Sequence, residues 1–393
     1  MEKIELLSPA GDLEKLRIAY LYGADACYIG GKDYSLRANA NNFSTNEIKE
    51  AVSFAHNLGK KIYVTLNIIF HNEDLEGVTK YLKELSKANV DAVIISDVFL
   101  IDIIKKETPN LKIFLSTQDS VTNKESVKYF MNKGVSRVVL ARELTKDEIK
   151  EIYDETKCEL EIFLHGAMCT SYSGRCVLSN YFTNRDSNRG GCCQVCRFCF
   201  NLDKDKEPKF QIATKDLNLS KFIKDLIEIN VTSLKVEGRM RGTYYLATVN
   251  SCYRNLIDAY YSNNQDEKFI ERNINLLNRV SNRESSSQYF KGYVDNNDQY
   301  YNGRLENSNQ DFLAQVIDYD KNTKEAIIEQ RNYFKKGDIV NLFGPGNIDI
   351  DFKIEYIKDK DNNLVDIANH QKEVLKIKVP QEVTKDFMIR VKM

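Results

Sequence analysis

The sequence predicts an α/β chain of the TIM type: eight β/α units closing into a barrel, a Cys-rich insertion after strand 7, and a small C-terminal all-β barrel domain. Three observations predict it. Short apolar runs recur eight times between residues 4 and 237, helical patterns separate them, and the texture changes after residue 265. The expected boundaries are 1–265 for the barrel, with a metal-binding loop at 165–200, then a connector over 266–310 and a β module over 311–393.

The eight runs are IELLS (4–8), ACYIG (26–30), KIYVTL (61–66), AVIIS (92–96), KIFLST (112–117), RVVLA (137–141), LEIFL (160–164) and SLKVE (233–237). They alternate little, as strands covered on both faces do. Between them lie helical patterns such as 12–23, 45–59, 74–88 and 145–155. Several open on Ser, Thr or Asp and close at Gly, the chemistry that satisfies free helix ends. A doubly wound open sheet shares this alternation and is the rival topology. Residues 266–310 are rich in Asn and Ser and read as an irregular connector. From 312 onward, strand-like stretches such as FLAQVIDYD and FMIRVKM alternate with turns such as KKGD and GPGN.

A barrel gathers its chemistry at the C-terminal ends of its strands. Those positions hold Asn67, Asp97, Gln118, Arg142, Glu143, His165, Glu237 and Arg239. The chain has 393 residues, 42% of them hydrophobic, enough for a large core. Its 56 basic and 57 acidic residues nearly cancel. A nucleic-acid partner would therefore need a local basic patch. The N-terminus carries no apolar run of signal-peptide length and no stretch approaches a membrane span. The expectation is a cytoplasmic protein with reduced thiols.

That expectation makes residues 165–199, HGAMCTSYSGRCVLSNYFTNRDSNRGGCCQVCRFC, the most informative stretch. Six of the nine cysteines lie here. Crowded thiols in a reducing compartment read as metal binding or redox chemistry. Four soft ligands suit an iron–sulfur cluster or zinc. Cys169 and Cys176 lack the CxxC spacing of a zinc knuckle, which favours the cluster. Cys196 and Cys199 could form one, which keeps zinc as the alternative. Cys27, Cys158 and Cys252 are isolated and read as small core hydrophobes. Arg175, Arg185, Arg189 and Arg197 among the cysteines, with Arg239 and Arg241 after the eighth run, are the candidate phosphate contacts. Tyr172, Tyr181 and Phe182 could stack on bases.

ELEIFLHGAMCTSYSGRCVLSNY, with LLSPAGDLEKL, STQDSVTN, RDSNRGGC and KVEGRMR, resembles peptidase family U-32, the collagenase-like protease family. The resemblance covers about 1–290, and the last 80 or so residues look like the family's C-terminal module. It implies a 4Fe–4S cluster on Cys169, Cys176, Cys192 and Cys196, with Cys193 and Cys199 departing from the usual pattern. The strand-end positions supply the candidate catalytic residues Glu237, Arg239, Arg142 and His165 at the barrel mouth. Length and layout look most like the branch that hydroxylates the tRNA wobble uridine to 5-hydroxyuridine in a prephenate-linked reaction. The implied partners are tRNA, prephenate or a related small acid, and a paralogous chain or a second copy.

Two other readings stand beside it. A collagenase-like peptidase is one, although the four histidines lack zinc spacing and no GxSxG elbow is present. The other is a further hydroxylase of the family, acting on ribosomal RNA or a quinone precursor, or a non-catalytic cluster scaffold.

Overall fold

The structure, a computed structural model, describes residues 3–36, 41–201, 209–263, 266–281, 283–300 and 310–393. Its first part is built on strands β1 (Glu5–Pro9), β2 (Ala26–Gly30), β3 (Lys61–Leu66), β4 (Ala92–Ile95), β5 (Lys112–Leu115), β6 (Arg137–Val139), β7 (Glu159–Gly166), β8 (Asp216–Asn218), β9 (Ser233–Val236) and β10 (Ser285–Ser286). Neighbours from β1 to β7 pair in parallel, and β9 pairs in parallel with both β7 and β1. Eight parallel strands therefore close into a ring, which excludes the open doubly wound sheet. β8 runs antiparallel beside the end of β7, with β10 outside it.

The helices are α1 (Leu13–Leu21), α2 (Thr45–Asn57), α3 (Asn72–Leu75), α4 (Val78–Lys87), α5 (Phe99–Glu107), α6 (Lys124–Lys133), α7 (Lys146–Thr156), α8 (Leu178–Thr183), α9 (Ile223–Glu228), α10 (Thr243–Tyr261) and α11 (Glu267–Val280). Ser44 with Glu47, and Thr145 with Glu148, form reciprocal caps that start α2 and α7. The helical pattern over 74–88 is two helices rather than one. Gly77 sits at φ 93°, a left-handed conformation that breaks the helix between α3 and α4.

The connector reading also needs correction, because α11 occupies Glu267–Val280. Its buried face is Leu276, Leu277 and Val280 with Asn273, which bonds Asn255 and the Phe269 carbonyl. Asparagines interleaved with the apolar stripe hid the helical period.

Side chains of the outer barrel face pack with the helices into one apolar core. The lumen is different. Arg137 reaches Glu5 at 2.6 Å, Glu159 at 3.0 Å and Glu161 at 3.3 Å, and Lys235 reaches Glu161 at 2.7 Å. Tyr63 and Ser233 donate to Glu5, at 2.7 and 2.8 Å. A spine of alternating charge thus climbs from Glu5 to Lys235 inside the ring.

The last part is an antiparallel all-β domain. Phe312–Asp320 pairs with Glu325–Gln330 on one side and Met388–Val391 on the other, in an eight-stranded sheet. It docks on the barrel through α1 and α10. Tyr244 stacks on Phe312 with centroids 4.7 Å apart, Tyr22 donates to the Asp386 carbonyl at 2.6 Å, and Arg17 meets Asp386 at 2.7 Å. No helix among the described residues is long and apolar enough to cross a membrane.

Candidate active site

The cysteine segment leaves β7 through Gly166, at φ 112°. A Cβ there would stand 2.6 Å from the Glu237 carbonyl, so only glycine lets β7 and the chain after β9 meet so closely. The segment then crosses the C-terminal mouth of the barrel and is fastened to three of its loops. Glu143, after β6, accepts from the backbone and hydroxyl of Ser173 at 2.7 and 2.9 Å. Asp119, after β5, faces Arg175 at 3.7 Å. Asp74, at the start of α3, takes a bidentate contact from Arg189, whose guanidinium also donates to the Ile69 carbonyl. Asn188 holds Cys176 by both backbone groups, accepting from its N–H at 3.2 Å and donating to its carbonyl at 2.9 Å.

Beneath the segment lies a cavity of about 360 Å³. Cys169, Cys176, Cys192 and Cys196 all line it. Burial pushes the Cys169 thiol up, and Cys176 and Cys192 push it further. Burial likewise raises Cys196, with Cys169, Cys192 and Cys176 adding to the rise. The four sulfurs are thus within electrostatic reach of one another, and deprotonating them together is unfavourable without a bound cation. The Leu178 and Gln194 backbone N–H groups each point at a sulfur, of Cys176 and Cys192, at 3.4 Å. Such bonds stabilise cluster thiolates. The donor set fits a four-thiolate inorganic group. Among the described residues, no three His, Cys, Asp or Glu side chains are already drawn together at ligand distances.

Cys193 and Cys199 lie outside the cavity wall. The Cys193 sulfur accepts from the Thr183 hydroxyl at 3.3 Å, and Cys199 is exposed. Cys27, Cys158 and Cys252 are buried in the core. Burial raises all three thiols, Cys158 to about 11 and Cys252 to about 12.

Arg142, Glu237 and Arg239 also line the cavity. The Arg142 guanidinium lies 3.8 Å from the Phe163 ring centre and donates to the Ala167 carbonyl at 2.9 Å. Arg239 is buried, donating to the Ser35 and Thr65 hydroxyls at 2.9 and 3.5 Å and to the Leu36 carbonyl. Gly30 makes room for it, since a Cβ there would meet the guanidinium at 1.9 Å.

His165 is the exception among the expected site residues. It does not line the cavity but is buried against α10, its Nδ1 3.0 Å from the Tyr253 hydroxyl. Simple alternation from Glu161 and Phe163 would aim it into the lumen. The β7–β9 register slips between Phe163 and His165, and this bulge turns the ring outward. Burial, with Arg241 nearby, drops the imidazole to about 3, so it is neutral.

Sequence reasoning missed Lys235. It stands in the cavity wall, its amine 4.5 Å over the Tyr28 ring. With Arg142, Arg197, Arg239, Arg241 and Arg283, it makes six basic side chains in the wall against one carboxylate, Glu237. Three of the six are already paired behind the wall, Arg241 and Arg283 with Asp216 and Lys235 with Glu161. At the rim, Tyr172, Tyr181, Phe182 and Phe198 expose large apolar surface.

Asp119 supplies a pH test. Burial lifts its carboxyl to about 7, against the pull of Arg175 and with the push of Asp97. A folded value above the unfolded 3.8 means the native state binds the extra proton, so stability falls as pH rises from about 4 to 7. Asp119→Asn is expected to raise the melting temperature at pH 8 and leave it nearly unchanged at pH 4. The shift bounds the gain at about 4 kcal/mol. Thermal melts across that pH range check it, and an equal effect at both ends would refute it.

The eight-stranded parallel barrel, with four cysteines and a basic cavity at its C-terminal mouth, defines a TIM-type barrel protein with its candidate site on a cysteine-rich segment after β7. The model of peptidase family U32 matches residues 11–300, and that of its C-terminal domain matches 308–390. The chain belongs to peptidase family U32. Among its relatives, tRNA hydroxylation protein P1 of Bacillus subtilis is 42% identical over 400 residues, covering 99% of this chain and 95% of that protein. The 23S rRNA 5-hydroxycytidine C2501 synthase of Escherichia coli is 38% identical, covering 65% of this chain and 40% of that protein. A collagenase of Porphyromonas gingivalis is 33% identical, covering 73% of each.

Proposed function

We propose that this protein hydroxylates tRNA in the cytoplasm, converting the wobble uridine to 5-hydroxyuridine in a prephenate-linked reaction. The observation that carries the reading is the basic, four-thiol cavity, in a chain alike over 99% of its length to a tRNA hydroxylation protein. Cys169, Cys176, Cys192 and Cys196 would hold a 4Fe–4S cluster, which supplies one-electron chemistry when bound. Arg175 and Arg185 would meet RNA phosphates outside the cavity. Tyr181 and Phe182, exposed at 84% and 59%, would stack on unpaired bases. Arg239 and Glu237 would orient the target ring.

The collagenase relative keeps a peptidase in view. His165 argues against it: bonded to Tyr253, off the cavity and made a weak base by burial, it is no base for Cys169.

Mass spectrometry of tRNA nucleosides from a strain lacking the gene tests the reading. The expected result is loss of 5-hydroxyuridine derivatives, restored by the wild-type gene and not by Cys169→Ala. Unchanged nucleosides in a strain without a paralogue would reject it.

A further inference from the structure

Several polar groups of the cavity wall are turned back on the protein. The Tyr28 hydroxyl donates to the Val236 carbonyl at 3.0 Å, Thr65 to the Ile29 carbonyl at 3.2 Å, and Thr117 to the Leu140 carbonyl at 3.0 Å. Two amides behave differently. Asn67 follows β3, Gln118 follows β5, and both line the cavity. Asn67 Oδ1 accepts from the Leu36 N–H at 3.2 Å, which only the oxygen of an amide can do. That amide is therefore locked, with its Nδ2 turned from Leu36. Gln118 Oε1 instead accepts from the Ser116 hydroxyl at 3.5 Å. A hydroxyl both donates and accepts, so this amide can turn over without losing its partner. Among the described residues, neither amide nitrogen donates to another protein group, and neither is sealed from the cavity.

We propose that Asn67 is the base-reading residue of this cavity, donating from Nδ2 to O4 of uracil and so rejecting cytosine, with Gln118 as a second donor to the ring. This deepens the hydroxylase reading and rests on it: it names the residue that recognises the target base. At position 4 of the ring uracil has an acceptor oxygen, whereas cytosine has an amino donor. A locked amide nitrogen meets the first with a hydrogen bond and the second donor to donor. Unpaired donors in a confined site are costly, so the wrong base is rejected more strongly than the right one is held. Gln118, free to turn over, suits O2, which both bases share. The uncharged amides also divide the labour with the arginines, whose phosphate contacts carry no sequence information. A cavity of about 360 Å³ lies at the small end for ligand sites and suits one flipped nucleoside rather than a stretch of chain.

Fluorescence anisotropy of the anaerobically purified full chain tests this, with two anticodon hairpins that differ only in uridine or cytidine at the wobble position. The wild type is expected to favour the uridine hairpin by about tenfold or more. Asn67→Asp keeps the oxygen on Leu36 and exchanges the donor for an acceptor, so the preference should vanish or reverse. Its added charge weakens both hairpins alike, which makes the ratio the readout. Asn67→Ser, without the charge, should lose the preference, and Gln118→Ala should weaken both hairpins and keep it. Circular dichroism and iron content are measured on each variant. Equal binding of the two hairpins by the wild type, or a preference unchanged in folded Asn67→Asp or Asn67→Ser, would overturn the role of Asn67 and leave the RNA reading standing. Wild-type protein that binds neither hairpin would sink the RNA reading, and the base-reading role with it.

Discussion

Cys169→Ala protein, purified without oxygen, is expected to hold neither iron nor sulfide if the proposed cluster sits on the four cysteines, while its barrel stays folded. Cys169 sits three residues past the end of β7, and its thiol is coupled to Cys176 and Cys192. Removing one of four thiolates leaves an open edge on any cluster they hold, and even the loss of a supporting group around a metal typically costs 10- to 100-fold in affinity. The fold should survive because the segment's fastenings at Ser173, Arg175 and Arg189 do not pass through Cys169. Cys193→Ala and Cys199→Ala are the controls and should retain the full iron content, since both thiols lie off the cavity wall. Iron and sulfide analysis with visible absorbance makes the comparison. Stoichiometric iron in Cys169→Ala, or its loss in both controls, would reject the ligand set, and zinc without sulfide in the wild type would replace the cluster.

Arg137→Met should be the most damaging change outside the cysteines. Arg137 is 3% exposed and lies 4.3 Å from the Phe114 ring centre while meeting Glu5 and Glu161 in the lumen. Taking it away strands buried carboxylates, a change that typically costs about 3–5 kcal/mol. The loss carries a pH signature. Burial works to raise the Glu5 carboxyl, but Arg137, Tyr63 and Ser233 outweigh it and hold the value below the ordinary 4.5. The ionised Glu5 thus contributes stability above about pH 4.5, and that contribution fades as pH falls through the lower native value. The variant's deficit should be largest near pH 7 and shrink toward pH 4 as the stranded carboxylates take up protons. Urea midpoints at both pH values check it, and a deficit independent of pH would point to lost packing alone.

The barrel was legible because its strands are short apolar runs between capped helices. The cysteine-rich segment was legible because six of the nine thiols crowd into it, whereas the choice of Cys169, Cys176, Cys192 and Cys196, which line one cavity, came from the family resemblance. What stayed hidden depends on register. His165 follows Phe163 by two positions, and nothing local announces the bulge that turns it outward. Lys235 did leave a trace. Glu5, Arg137, Glu161 and Lys235 each interrupt an apolar strand, and charges in that setting imply a paired interior network. The pairing itself required the ring to close. α11 was lost because Asn273, Asn275 and Asn278 dilute its stripe, though Asn273 is buried and bonded.

Helix α10 serves two neighbours at once. Tyr253 on it meets His165 behind the end of β7, and Tyr244 lies flat on Phe312 of the last domain. Phe343 and Met388 of that domain belong to the same apolar core as the barrel. The terminal module is therefore a fixed outrigger rather than a tethered hand, held to the barrel by shared packing on one helix.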